Sequence, residues 1–306
     1  MGRYLLNHFP THIYNKTLLS ILAVLVCCLI VLYVFHMART KIISSQEGFE
    51  QSKPYILKEN QNVYDSFYAE VYDLIHRCME TSKTDLKVII KETAPKGSSS
   101  ILDVGMGTGC FVKTANDLNL KATGVDVSAE MLEMAKQKGI PANSIVKGNA
   151  LHGVTFPKQS FTHVYCSYNS FYQWTTAEKT VLLQNIYHWL TPGGYFCVRL
   201  VDPDTIKLLS TNPLYLEKES EILFPEFKYN VSHTKGKQYP EHYLNEKIQD
   251  YNTGHIRENE IVYYIESIDE SLAQIEKEGF LEKTHVGVST HTEIPDEWVY
   301  IFQKTR

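Results

Sequence analysis

ILDVGMGTGC, residues 101–110, is the stretch on which the fold turns. A short apolar run ends in glycines at 105, 107 and 109. This is the pattern of a buried strand opening into a backbone loop that packs against a ligand and leads into a helix. The dinucleotide fingerprint G-x-G-x-x-G needs a third glycine where helix and strand approach closely. Counted from Gly105 and Gly107, that position is Cys110. A loop written D-x-G-x-G-x-G offers backbone N–H groups and space but less of a phosphate cradle, so it suits a cofactor without a pyrophosphate. No GxxxxGK[ST] sequence accompanies it, and use of a nucleoside triphosphate has no support.

Outward from this loop the chain alternates strand and helix. ILDV and KATGVDV read as strands separated by a helix through FVKTANDL. In SAEMLEMAKQKG, Ser128 is placed to cap the helix and Gly139 to stop it. SIVKGNA and FTHVYCSY give two more strands, and Thr175 with Glu178 makes a capping box before VLLQNIYHWL. TPGG then breaks the chain before YFCVRLV, a fifth strand. Alternation at this spacing predicts a Rossmann-like, doubly wound, mostly parallel sheet with helices on both faces. LEKTHVGV and EWVYIFQK close it as a hairpin across residues 288–297, giving seven strands with an antiparallel edge. Residues 202–264 interrupt the rhythm with aromatic and β-branched segments, expected as a small antiparallel β insert on the substrate side. Upstream, Tyr64, Tyr68, Tyr72 and Ile75 share one face of a predicted helix, and a second helix is expected over 82–93.

Polar residues fall at successive strand ends. Asp126 lies twenty-one residues after Gly105, at the end of the second strand, where a carboxylate can accept both hydroxyls of a ribose. Asp103 ends the first strand, near where a cationic amino-acid moiety would be received. Asn149, with Ala150 beside it, ends the third and can hydrogen-bond an adenine edge. Turn or capping roles account for Asp103 and Asn149 singly, but less readily for all three together.

With these residues in hand, the sequence over about 60–305 resembles class I S-adenosylmethionine-dependent methyltransferases of the type 11/25 kind. The resemblance implies S-adenosyl-L-methionine as cofactor and methyl transfer as the reaction. It implies that Asp103, Gly105, Gly107 and Gly109 line the methionine part, that Asp126 holds the ribose and that Val127 packs near adenine. Asn149 stands where relatives usually carry aspartate, which keeps an acceptor and adds a donor. Ser167 in CSYNSF would line the cofactor, with Tyr168 and Asn169 nearer the substrate. FYAEVYD looks like the N-terminal helix of amine-methylating relatives, whose tyrosine caps the cofactor. Tyr72 is the best match, with Tyr64 beside it.

An electrophilic methyl group asks mainly for in-line positioning of a nitrogen or oxygen nucleophile and exclusion of water. Candidates for a catalytic group are Tyr72, Tyr168, His152 and His163, and by residue type also His188. No N/D-P-P-Y/F stretch follows the fourth strand, so DNA amino methylation is not expected. A small-molecule or membrane-associated acceptor is the leading expectation. A protein or RNA methyltransferase and an inactive cofactor-binding scaffold remain as alternatives, and an oxidoreductase comes last.

The chain of 306 residues carries a formal charge of -5, against a phosphate-backbone binder. Six cysteines form no CxxC or Cys/His cluster, so no metal site is expected and free thiols in a reducing compartment are the simpler assumption. LLSILAVLVCCLIVLYVF, residues 18–35, is free of charge and at roughly 27 Å is long enough for a transmembrane helix. The resulting organisation is a flank (1–17), a membrane anchor (18–35) contacting the lipid bilayer, a tether (36–59) and a methyltransferase domain (60–306). The domain would face the cytosol, where the cofactor is supplied. Nothing in the sequence sets the oligomeric state.

Overall fold

The computed structural model describes residues 21–31, 33, 53–201, 203, 220–288 and 297–305, and for 168, 169, 220 and 221 the backbone alone. The chain divides into two compact units, 1–50 and 51–306. In the first, residues 21–31 and 33 are helical and exposed. Among the described residues no helix is long and apolar enough to cross a membrane, which overturns the expected single-pass anchor and the membrane placement built on it. Residues 18–20, 32, 34 and 35 of the expected anchor lie outside the described residues, as does the tether as far as 52.

In the second unit β1 is Tyr55–Glu59, followed by helices α1 (Ser66–His76) and α2 (Cys78–Thr93). Alternation then runs β2 (Ser100–Val104), α3 (Cys110–Asp117), β3 (Lys121–Asp126), α4 (Ala129–Gln137) and β4 (Ile145–Lys147). It continues through β5 (Phe161–Cys166), the short α5 (Tyr168–Phe171), α6 (Thr176–Trp189) and β6 (Leu190–Val201). Next come β7 (Ser220–Leu223), β8 (Phe227–Lys235), β9 (Glu241–Asp250) and β10 (Ile256–Tyr264), then α7 (Ile268–Lys277), β11 (Phe280–Val288) and β12 (Glu297–Lys304).

Seven strands form the main sheet in the order β11-β12-β6-β5-β2-β3-β4. Pairings among β4, β3, β2, β5 and β6 are parallel, and β12 is antiparallel to both β6 and β11, as the sequence predicts. The strands are near-continuously buried because helices cover both faces. Ile101, Leu102, Val104, Val164 and Val198 are fully enclosed, and Phe111 of α3 stacks on Tyr165 of β5 at 4.1 Å between ring centres. Helix ends follow local chemistry. Ser128 Oγ accepts the Met131 N–H at 3.1 Å, and the capping boxes Thr175/Glu178 and Ser267/Glu270 are both closed. TPGG lies inside β6 rather than before it: pairing with β5 jumps from Phe161–Leu190 to His163–Tyr195, and Gly193 takes a positive φ of 72° in between.

A smaller sheet has the order β1-β10-β9-β8-β7. Its insert strands are antiparallel, but β1 joins β10 in parallel, so the sheet is mixed. Residues 55–59, assigned to the tether from sequence, are thus an edge strand. Hydropathy alone could not reveal a partner two hundred residues away. One face of this sheet packs on α1. Glu246 of β9 is 1% exposed and accepts from Tyr68 (2.9 Å), Tyr229 (2.7 Å) and Asn259 (3.0 Å). Arg257 of β10 clasps both carboxylate oxygens of Asp65, the α1 cap, at 3.0 and 2.9 Å.

One expectation about thiols is corrected. Cys78 and Cys110 are joined in a disulfide between the first residues of α2 and α3, with Cα atoms 5.9 Å apart. Their separation of 32 residues hides the pairing from any local motif. Cys166 and Cys197 are free and buried.

Candidate functional site

β2 is the point at which strand order reverses, with β3 on one side and β5 on the other. Crossovers leave β2 in opposite directions, so a crevice opens at its carboxyl end. There the glycine loop turns sharply. Gly105 and Met106 donate their N–H groups to Val125 O at 2.9 and 3.0 Å, tying the loop to β3. Gly105, Gly107 and Gly109 all have positive φ (70°, 51° and 81°). A Cβ on Gly105 would lie 2.4 Å from Ser170 Oγ, and one on Gly109 2.3 Å from Ile140 Cδ1. At Gly107 it would meet nothing within 4 Å, so this glycine borders open space.

That space is a cleft of about 760 Å³. Its wall brings together Tyr64, Tyr72, Gly105, Gly107, Asp126, Val127, Asn149 and Ala150 from the sequence-derived set. Asp126 accepts the Gly107 N–H at 2.8 Å and the Ser128 N–H at 2.9 Å. Burial pushes its carboxyl above the ordinary range, while these backbone bonds oppose the rise. A carboxylate has about four acceptor positions, so two bonds leave capacity for a diol at the rim. Val127 is 47% exposed beside it. Asn149 Oδ1 holds its own turn by accepting the Leu151 N–H at 2.9 Å.

Asp103, 4% exposed near the end of β2, is not on the cleft wall. Burial, reinforced by the charge of Asp126, raises its carboxyl to about 8. Gly109 is also off the wall, packed on Ile140 at the start of α3. Ser167 is one step removed: its Oγ is 3.2 Å from that of Ser170, and Ser170 borders the cleft and donates to Gly105 O at 2.9 Å.

Two of the candidate catalytic groups are not brought to the cleft. His152 is exposed. His163 is buried in β5 between Thr162 (2.8 Å) and Thr93 (3.1 Å), and burial lowers its imidazole to about 4. His188 is likewise absent from the wall. The side chains of Tyr168 and Asn169 lie outside the described residues.

Sequence reading missed several wall residues. Gln61, Gln173, Trp174 and Tyr264 border the cleft, and Gln173 donates to Tyr64 Oη at 2.6 Å. Only the aromatic run FYQW after β5 hints at them. It also missed His76, whose Nε2 is 2.8 Å from Tyr68 Oη and whose ring lies 4.4 Å from that of Tyr72. Burial lowers the imidazole of His76, against the nearby charges of Glu246 and Asp73.

Residues 101–194, from the glycine loop into β6, match the family model described as a methyltransferase domain. Over that stretch the chain resembles a methyltransferase domain. Among curated proteins this domain is similar to the cypemycin N-terminal methyltransferase of a Streptomyces species, 27% identical over 143 residues (46% of this chain, 58% of that one). The chain spans between 31% and 58% of the length of the curated relatives it matches. Among solved structures, the CcbJ methyltransferase of Streptomyces caelestis superposes with a TM-score of 0.63 at 18% identity, covering 80% of this chain and 98% of that one. CalS10 of Micromonospora echinaspora, an amino pentose methyltransferase, gives 0.57 at 17% identity, covering 77% and 97%. These likenesses extend the shared fold of the methyltransferase domain beyond residues 101–194.

Proposed function

We propose that the protein transfers a methyl group from S-adenosylmethionine to an amine nitrogen of a small-molecule acceptor. The observation that carries this reading is the cleft at the carboxyl end of β2, with Gly107 open to it and Asp126 at its rim. In this reading Gly105 and Gly107 admit the methionine portion, and Asp103 with Asp126 supplies negative potential toward its cationic groups. Asp126 takes the ribose, Val127, Asn149 and Ala150 flank the adenine, and Tyr72 of α1 covers the site with Tyr64 just before that helix. When bound, the cofactor supplies a methyl group on a positively charged sulfur. The chain's own part is to orient the acceptor and exclude water, worth several kcal/mol without a covalent step.

Support for an amine comes from the tyrosine face of α1, which ends at a neutral His76, and from relatives whose printed names specify N-terminal and amino-sugar methylation. An RNA acceptor is disfavoured because residues 220–264 hold five Lys/Arg against seven Asp/Glu.

Calorimetry on the full chain with S-adenosylmethionine and with NAD tests the cofactor assignment, using Asp126→Ala as control. Binding of the first alone, weakened in the variant, is expected. Absence of that binding, or equal binding by the variant, would sink the assignment. Label transfer from methyl-labelled cofactor to paired amino and hydroxyl sugars tests the acceptor atom. Labelling confined to the hydroxyl compounds would reject the amine.

A further inference from the structure

We propose that the Cys78–Cys110 pair is a modification site for low-molecular-weight thiols and disulfides, and that its oxidation state sets how tightly the cleft holds S-adenosylmethionine. The inference rests on the cofactor assignment above.

The bond sits at a mechanical junction. Cys78 opens α2 directly after Arg77, whose left-handed backbone (φ 48°) makes the elbow between α1 and α2. Cys110 opens α3 directly after Gly109, the last residue of the glycine loop. The disulfide therefore ties the segment carrying Tyr64 and Tyr72, one wall of the cleft, to the loop carrying Gly105 and Gly107 opposite. Farther along, α2 packs on α3 through Leu86, Ile89, Phe111 and Val112, whereas the contacts beside the disulfide itself are polar. Asp73 accepts from Thr108 Oγ1 and pairs with Lys138, and Lys138 Nζ donates to Thr108 O at 3.0 Å.

The surroundings of the two sulfurs differ, which gives exchange a direction. Cys110 is 1% exposed, whereas Cys78 is half-buried. Cys110 Sγ, at the N-terminus of α3, lies 3.6 Å from Lys138 Nζ and 3.5 Å from Asp73 Oδ1, which accepts from Thr108 Oγ1, while Asp73 Oδ2 pairs with Lys138. An ammonium and a helix N-terminus both favour a thiolate, so Cys110 is the better leaving group and Cys78 the sulfur attacked. A thiolate RS⁻ bonds to Cys78 Sγ, the protein S–S bond breaks, and Cys110 departs with the electron pair. A second RS⁻ displaces Cys78 from the mixed disulfide, giving RSSR and two protein thiolates that equilibrate with solvent protons. Exchange with RSSR runs the sequence backward. Once the tie is broken, the cost of ordering α1 against the loop falls on cofactor binding.

The test uses the full chain prepared without reductant. Alkylation and peptide mapping should find Cys78 and Cys110 protected, and labelled only after dithiothreitol. Calorimetry with S-adenosylmethionine should give at least about fivefold weaker binding after reduction, the lower end of ordinary coupling between sites. Cys78→Ser should match the reduced chain and ignore dithiothreitol. Should that variant misfold, the reduced wild-type chain still supplies the comparison. Equal affinities of the oxidised and reduced chains, or free labelling before reduction, overturn the inference and leave the cofactor assignment standing. No binding in either state overturns that assignment and the inference with it.

Discussion

Asp103 makes cofactor binding a proton-linked event. Its carboxyl sits at about 8 because it is buried and faces the charge of Asp126. At pH 7 the free chain therefore holds a proton there about 0.9 of the time. A cationic ligand over the loop favours the charged carboxylate and lowers its titration from about 8, so binding at pH 7 releases up to about 0.9 of a proton, and at pH 9 at most about 0.1. Affinity should rise with pH between 6 and 9, by at most roughly a hundredfold or about 2.7 kcal/mol, and level off above 8. Asp103→Asn removes this linkage. The sign for folding is opposite: the folded chain keeps a proton that the unfolded chain releases between about pH 4 and 8, so stability of the free chain falls as pH rises through that window. Calorimetry of S-adenosylmethionine binding in buffers of differing ionisation enthalpy counts the protons. The wild-type-minus-variant difference cancels titration of the cofactor's own amino group. Identical proton release by Asp103→Asn and wild type at pH 7 would refute the reasoning.

Three further outcomes are expected. Gly109→Ala should lower the melting temperature markedly, since its Cβ meets Ile140 at 2.3 Å with φ 81°. Gly107→Ala should cost only about 1–2 kcal/mol of backbone strain but weaken cofactor binding, and equal effects of the two on stability would count against the loop assignment. Glu246→Ala removes an acceptor shared by three buried donors, of which Tyr68 still has His76 beside it, and should cost about 3–5 kcal/mol in denaturant unfolding. A loss below about 1 kcal/mol would mean that water replaces the carboxylate. His163 stays neutral when folded down to about pH 4, so its contribution, at most about 3 kcal/mol, is present above pH 6.5 and lost as pH falls toward 4. His163→Gln should flatten that acid limb, which melting curves at stepped pH would read, and an unchanged limb would assign the loss elsewhere.

The parallel sheet and the cofactor loop were legible because their signals are local. A strand–glycine–helix turn, Ser128 and Thr175 caps, and Asp126 closing a strand each depend on residues within a few positions of one another. Local pattern also led astray. The apolar run 18–35 reads as a membrane span, yet no described helix is long and apolar enough for one. Strand-like His163 and exposed His152 were ranked by residue type, which carries no information about distance to a cleft.

What only the assembled fold decided are relations between segments far apart in the chain. β1 finds β10, Gln173 finds Tyr64, Glu246 collects hydroxyls from α1 and β8, and Cys78 meets Cys110. None of these follows from spacing, because burial and the crossing of α1 over the second sheet choose the partners. ILDVGMGTGC specifies a turn and the class of ligand that fits beneath it. Whether its last residue is an ordinary packed cysteine or one end of a covalent tie depends on where α2 begins in space.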